Sequence, residues 1–179
     1  MHAVVVYESM YGNTRRIAEA IARGIETVGT AQAIPVSRAK DIHPGGYDLI
    51  LVGGPTHVHG MSRESTRHAA EETAAASDGL LIIDPDFASS GVREWLNGLS
   101  VTTGRAAAFD TRLDAAPLFT GRASKAISKL LRAAGFELVT EPESFLVDKA
   151  TRLLPGEAAR AEAWGAHVAA SIDHGEPSR

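Results

Sequence analysis

With 179 residues, 44% apolar and 22% charged, the chain has the length and composition of one globular domain able to bury a core. Aromatic residues are 6%, so aliphatic side chains and Ala must fill most of that core, and a net charge of −4 gives no basic stripe of the kind that marks a nucleic-acid binder. The lack of cysteine excludes disulfides, thiolate nucleophiles, Cys-ligated zinc and iron–sulfur clusters; no signal peptide or membrane-length apolar run is found, so the expected location is the cytoplasm.

The first run, Ala3-Val4-Val5-Val6-Tyr7, is continuously apolar and predicts a strand buried on both faces, as in the middle of a parallel sheet. After Ser9–Asn13 the period changes. Ile17, Ala18, Ile21, Ala22 and Ile25 recur at helical spacing, with Arg15, Arg16, Glu19, Arg23 and Glu26 opposite and Gly29 as a stop. A second strand is predicted at Ala31–Val36 and a third at Tyr47–Gly53, followed by a helix over Ser65–Ala76. Ser77–Ser90 reads as an insertion packed beside the sheet, with Leu80–Ile83 as a conceivable extra strand, before a helical pattern at Val92–Leu96. Gly104–Phe109 predicts the fourth strand and Ala123–Ala134 a helix stopped by Gly135. Phe136–Val139 and Ser144–Val147 share the fifth strand region, interrupted near Pro142, and Glu157–Ile172 closes the chain as a helix. Five strands alternating with helices predict an open, doubly wound α/β sheet with helices on both faces, over residues 1–173, with 174–179 as a tail.

Ligands of such a sheet lie beyond the carboxyl ends of its strands. The first loop there is Ser9-Met10-Tyr11-Gly12-Asn13-Thr14, running from a buried strand into a helix. Free backbone N–H groups and the positive helix end suit a phosphate, Gly12 lets the backbone curl, and Ser9, Asn13 and Thr14 add neutral donors. This loop resembles the flavodoxin phosphate loop, Ser/Thr-x-Thr-Gly-Asn-Thr, with Tyr11 where a Thr is usual. The resemblance implies a five-stranded parallel sheet of order 2-1-3-4-5 and FMN as cofactor. It extends to Gly53-Gly54-Pro55-Thr56, where Pro55, Thr56, His57, Val58, His59 and Gly60 form a loop resembling the family's first flavin-ring loop. His57 and His59 stand where the family often has an aromatic. The loop after the fourth strand, Asp110–Gly121, would cover the other ring edge through Asp110, Thr111 and Arg112, with Leu113, Leu118 and Phe119 as candidates for an apolar lid. Gly53–Thr56 together with Arg93-Glu94-Trp95-Leu96 also resembles a branch of small flavoproteins. His57, His59 and His68 lack an accompanying carboxylate pattern, and no metal is expected. His57, His59, Arg63 and Arg112 place cationic groups by the implied ring loops.

Other chemistries are excluded by motif. A phosphoacceptor domain needs an acid pair after the first strand and an Asp after the third, where Glu8 and Gly53-Gly54 stand. The Gly-x-Gly-x-x-Gly fingerprint after the first strand, the Gly-x-x-x-x-Gly-Lys-Ser/Thr loop and the Gly-x-Ser-x-Gly elbow are all missing. Three functions remain: an FMN electron carrier that docks to a redox partner protein, an FMN-dependent NAD(P)H:quinone-type oxidoreductase with a small-molecule acceptor, or a module of this fold without flavin.

Overall fold

The computed structural model describes residues 1–57, 59–87, 90–100 and 103–173. Strands β1 (His2–Tyr7), β2 (Thr30–Pro35), β3 (Leu49–His57) and β5 (Gly104–Leu113) form a parallel sheet in the order β2-β1-β3-β5. A two-residue strand β4 (Gly60–Met61) turns back antiparallel onto the end of β3. The fifth position is filled by β6 (Phe136–Leu138) and β7 (Glu143–Val147), which pair in succession along β5. This is the 2-1-3-4-5 order with its last strand split around Pro142.

Alternation along β1 decides the two layers. Ala3, Val5 and Tyr7 face α1 (Asn13–Ile25) and α6 (Glu157–Asp173); Val4 and Val6 face α3 (Val92–Asn97) and α5 (Ala123–Ala133). The remaining helices, α2 (Glu64–Ala75) and the short α4 (Pro117–Thr120), lie near the carboxyl ends of the strands, where they border or flank the cleft described below. Sequence periodicity assigns α1 one apolar face. A flank at Ala20 and Gly24 is covered as well, while Arg16, Glu19, Arg23 and Glu26 stay exposed, because α1 and α6 touch backbone to backbone: a Cβ on Gly24 would lie 2.0 Å from the Glu162 carbonyl oxygen, and one on Gly165 2.3 Å from that of Ile21. The rings of Phe109, Phe145 and Trp164 pack edge to face with centroids 6.1–6.5 Å apart. A Cβ on Gly53 would strike Phe109 at 2.2 Å, which explains glycine at that point of β3.

One sequence expectation needs correction, and one alternative left open by the sequence is decided. β5 runs on to Leu113 instead of ending at Phe109, because β7 supplies a ladder for Phe109–Leu113; Asp110, Thr111 and Arg112 are therefore strand residues, and the connection to α5 begins only at Asp114. Among the described residues of 77–90 there is no strand: Leu80 and Ile82 stand 87% and 75% exposed, and the segment is fastened instead by Asp84. Positions 88, 89 and the tail at 174–179 lie outside the described residues. Among the described residues no helix is long and apolar enough to cross a membrane.

Candidate functional site

β1 delivers the chain to Ser9, and α1 begins at Asn13. Between them Gly12 takes φ 85°, a left-handed conformation that suits glycine, and its N–H donates to Ser9 Oγ at 3.1 Å. No side chain caps α1, and its first turn holds no acid. Its leading N–H groups are thus left without an intrahelical or side-chain-cap acceptor, an arrangement that receives an anion. Around this loop the side chains are already held in position. Tyr11 donates its hydroxyl to the Ala70 carbonyl of α2 at 3.1 Å, so it braces the loop where the family has a Thr. Asn13 Nδ2 donates to the Thr151 carbonyl at 2.7 Å, and Thr14 Oγ1 shares a hydrogen bond with Thr111 Oγ1 at 2.7 Å. From below, Asp84 accepts from Arg15 Nε at 3.0 Å while its own N–H donates to the Met10 carbonyl at 2.8 Å. The insertion therefore clamps the Ser9–Thr14 loop.

The loop opens into a cleft of about 380 Å³. Met10, Tyr11, Asn13, Thr14, Pro55, Thr56 and His57 line it together with Thr111, Arg112 and Leu113 of β5. Sequence reasoning missed Leu81 of the insertion and two walls: Thr66, Ala69, Ala70 and Thr73 of α2, and Val147 at the end of β7 with Asp148, Lys149 and Thr151 after it. The second could not be placed without knowing that the split fifth strand carries its end past β5.

Thr56 and Asp110 prove to be caps. Thr56 Oγ1 accepts from Ala123 N at 2.9 Å and Asp110 Oδ2 from Ser124 N at 2.7 Å, so the first turn of α5 is capped from two strands. Asp110 is fully buried, away from the cleft, and burial pushes its carboxyl above the ordinary range. Arg112 Nη1 donates to the carbonyls of Leu113 and Ala115 at 3.1 and 2.7 Å. His57 pairs with Gly60 across the β3–β4 hairpin, whose turn contains His59 at φ 70°; Val58 lies outside the described residues. Of the three apolar lid candidates, Leu113 lines the cleft, whereas Leu118 and Phe119 on α4 stand 85% and 73% exposed beside it. His68 is on the outer face of α2 near Glu71 and Glu72. Among the described residues no group of three His, Asp or Glu converges to hold a metal ion.

Half-buried His57 is not the free titrating cation expected from the sequence, since desolvation lowers its pKa below the ordinary 6.5. The unfolded chain therefore binds this proton first as pH falls, and stability is lost downward from 6.5 through the lower folded value. Urea unfolding at several pH values from about 5 to 7 is expected to give stability rising with pH, and His57→Gln a flatter slope over the same range.

Behind the Ser9–Thr14 loop lies a second network, buried at Glu8 and Arg67, that the sequence did not reveal. Glu8, 6% exposed, accepts from Ser62 Oγ and, at 2.9 Å, from Val92 N. Arg67 of α2, 3% exposed, donates to Ser62 Oγ at 3.0 Å and to Glu94 of α3 at 3.3 Å. Glu94 in turn accepts from Gly91 N at 2.8 Å; although burial opposes its charge, the Gly91 N–H and Arg67 hold its carboxyl below the usual range. Arg93 reaches the carbonyls of Met61 and Ser62. The network joins the end of β1, the β4–α2 connection and α3.

The flavodoxin family model matches residues 5–164, which include the Ser9–Thr14 loop, both capping strands and the Val147–Thr151 wall. Among solved structures the chain is similar to a flavodoxin from the domain Archaea, with TM-score 0.61 and 21% identity over 97% of this chain and 100% of that one. It is similar also to oxidised flavodoxin 1 from Bacillus cereus, with TM-score 0.62 and 18% identity over 99% and 100% of the two chains. A WrbA-like flavodoxin from Agrobacterium tumefaciens gives 0.54 and 21% over 98% and 99%. No curated protein matches. At these identities the structures speak for the fold; the family match, spanning most of the chain, makes it a member of the flavodoxin family.

Proposed function

We propose that this protein binds FMN and works as an electron-transfer carrier. The observation that carries the reading is the uncapped, acid-free start of α1 behind Gly12, opening into a cleft wide enough for a small cofactor. The residues present fit the group. With the Gly12 N–H spent on Ser9 Oγ, the hydroxyls of Ser9 and Thr14 and the N–H groups that open α1 at Asn13 and Thr14 would offer neutral donors to an anion, and the β3–β4 hairpin and the end of β5 form the sides along which a planar ring would lie. FMN, when bound, supplies a centre that accepts and releases electrons one or two at a time.

The chain's own residues would do the rest. Ser9–Thr14 would hold the phosphate through N–H and hydroxyl donors. Met10, Pro55 and Leu113 would exclude water from the cofactor's inner side, and neutral His57 would border the cleft without adding charge at pH 7. Exposed Leu118 and Phe119 beside the ring loops give a redox partner protein an apolar surface, which favours the carrier over the small-molecule oxidoreductase.

Calorimetric titration of flavin-free protein with FMN and riboflavin tests this. FMN is expected to bind more tightly by about ten- to hundredfold or more, the worth of one or more charge-assisted hydrogen bonds to phosphate. Equal affinity for the two would overturn the assignment of Ser9–Thr14.

A further inference from the structure

The phosphate loop has a charge deficit. The adjacent Arg15 is engaged by the buried carboxylate of Asp84, and Ser9, Gly12, Asn13 and Thr14 are neutral. A phosphomonoester near neutral pH carries close to two negative charges, which neutral donors and a helix end offset only in part. The missing charge has a source across the cleft.

The segment after β7 folds into a closed turn around Asp148. Its carboxylate accepts from the N–H groups of Ala150 and Arg152, both at 2.9 Å, and pairs with the Arg152 side chain. Thr151 sits at φ 60°, a left-handed conformation uncommon outside glycine, and its carbonyl receives the Asn13 side chain at 2.7 Å. The turn is thereby fastened to the first residue of α1. Three charged residues line the cleft: Arg112, Asp148 and Lys149. Arg112 is occupied by carbonyls and Asp148 by Arg152, whereas Lys149 has no hydrogen bond or ion pair to any described residue.

We propose that Lys149 is a phosphate-recognising residue, supplying from the turn after β7 the positive charge that the Ser9–Thr14 loop lacks. The Asn13–Thr151 hydrogen bond sets its distance from the start of α1. The role rests on the FMN reading and extends the anion site from one loop to two. It also assigns a purpose to the strained Thr151, which holds the turn in a form that keeps Lys149 on the cleft wall.

The test is calorimetric titration of FMN and of riboflavin into flavin-free wild type, Lys149→Met and Lys149→Arg, at about 0.05 M and 0.5 M salt. Lys149→Met keeps the length of the side chain and removes the charge. It is expected to weaken FMN about ten- to hundredfold, leave riboflavin unchanged and flatten the salt dependence of FMN binding. Lys149→Arg is expected to restore most of the affinity. FMN affinity of Lys149→Met within twofold of wild type would overturn the role of Lys149 while leaving the FMN reading intact. Equal weakening of FMN and riboflavin would overturn it too, by placing Lys149 against the ring and away from the phosphate. A wild type that does not distinguish FMN from riboflavin would remove both readings together.

Discussion

Replacing Arg67 by Met is expected to lower the unfolding free energy by about 1.5–3 kcal/mol, the worth of buried hydrogen bonds to a charged group, since its ion-pair partner Glu94 is exposed. Arg67 is 3% exposed, and its guanidinium is the positive group that joins Ser62 to Glu94 in a chain ending on Glu8. Met fills much of the same volume, so the destabilisation should come from electrostatics and hydrogen bonding and not from a cavity. Ser62, which donates to the buried Glu8, would lose its guanidinium donor, and the exposed Glu94 its ion pair. Gly91 shows how little slack exists: a Cβ there would come within 2.4 Å of Glu8 Oε2 and 2.7 Å of Arg67 Nη1. Urea titration should show a lower midpoint with an unchanged slope, the sign of altered stability without altered surface exposure. A decrease below about 1 kcal/mol would mean that water enters and replaces the guanidinium, as at a surface pair. Because the network ties β1 to α3 immediately before Ser9, the same variant should bind FMN less tightly even though Arg67 does not line the cleft.

Much of the fold is legible in the sequence because its signals are local. The Ala3–Tyr7 run, the helical spacing from Ile17 to Ile25 and the glycine stops each report on a few consecutive residues, and the layers follow from them. The interruption at Pro142 is equally local, and the fifth strand does split there. The Ser9–Thr14 turn is legible for the same reason, since strand, glycine turn and helix start are contiguous. What the sequence hides depends on long-range pairing. The true end of β5 is set by β7, about thirty residues further along, and moving that end turns Asp110 from a loop residue into a buried cap. Tyr11 has no evident role until α2 offers it a carbonyl. The Glu8 network is spread over four segments with no common spacing. One clue is present: an acid directly after a continuous apolar strand must either reach water or find buried donors, and Glu8 finds Ser62 and Val92.

Replacing Gly121 by Val is expected to destabilise the protein by about 2–5 kcal/mol, combining backbone strain with a steric clash. Gly121 ends α4 at φ 72° and ψ −172°, a region open in practice to glycine. A Cβ there would lie 2.1 Å from the His59 carbonyl oxygen and 2.4 Å from its Cα, so neither side can give way without moving main chain. That close approach is the bridge between the β3–β4 hairpin and the connection leading into α5. The same connection is pinned two residues on, where Ala123 N donates to Thr56 Oγ1, and it carries Leu118 and Phe119 on its outer side. A branched side chain at 121 should therefore push the β3–β4 hairpin, proposed as one side of the flavin ring, away from the α4 connection, while the Ser9–Thr14 loop, held by Asp84 and α2, stays in place. The pattern expected follows from that separation. Affinity for FMN and for riboflavin should fall together, about tenfold for every 1.4 kcal/mol by which ring binding weakens, and the preference for FMN should persist. Denaturant unfolding gives the stability change, and paired calorimetric titrations give the two affinities. If the variant is less stable yet binds both flavins as tightly as the parent, the β3–β4 hairpin and the α4 connection do not touch the ring. If instead the preference for FMN disappears, Gly121 acts on the phosphate end of the cleft, and the division of the site into a phosphate half and a ring half is wrong.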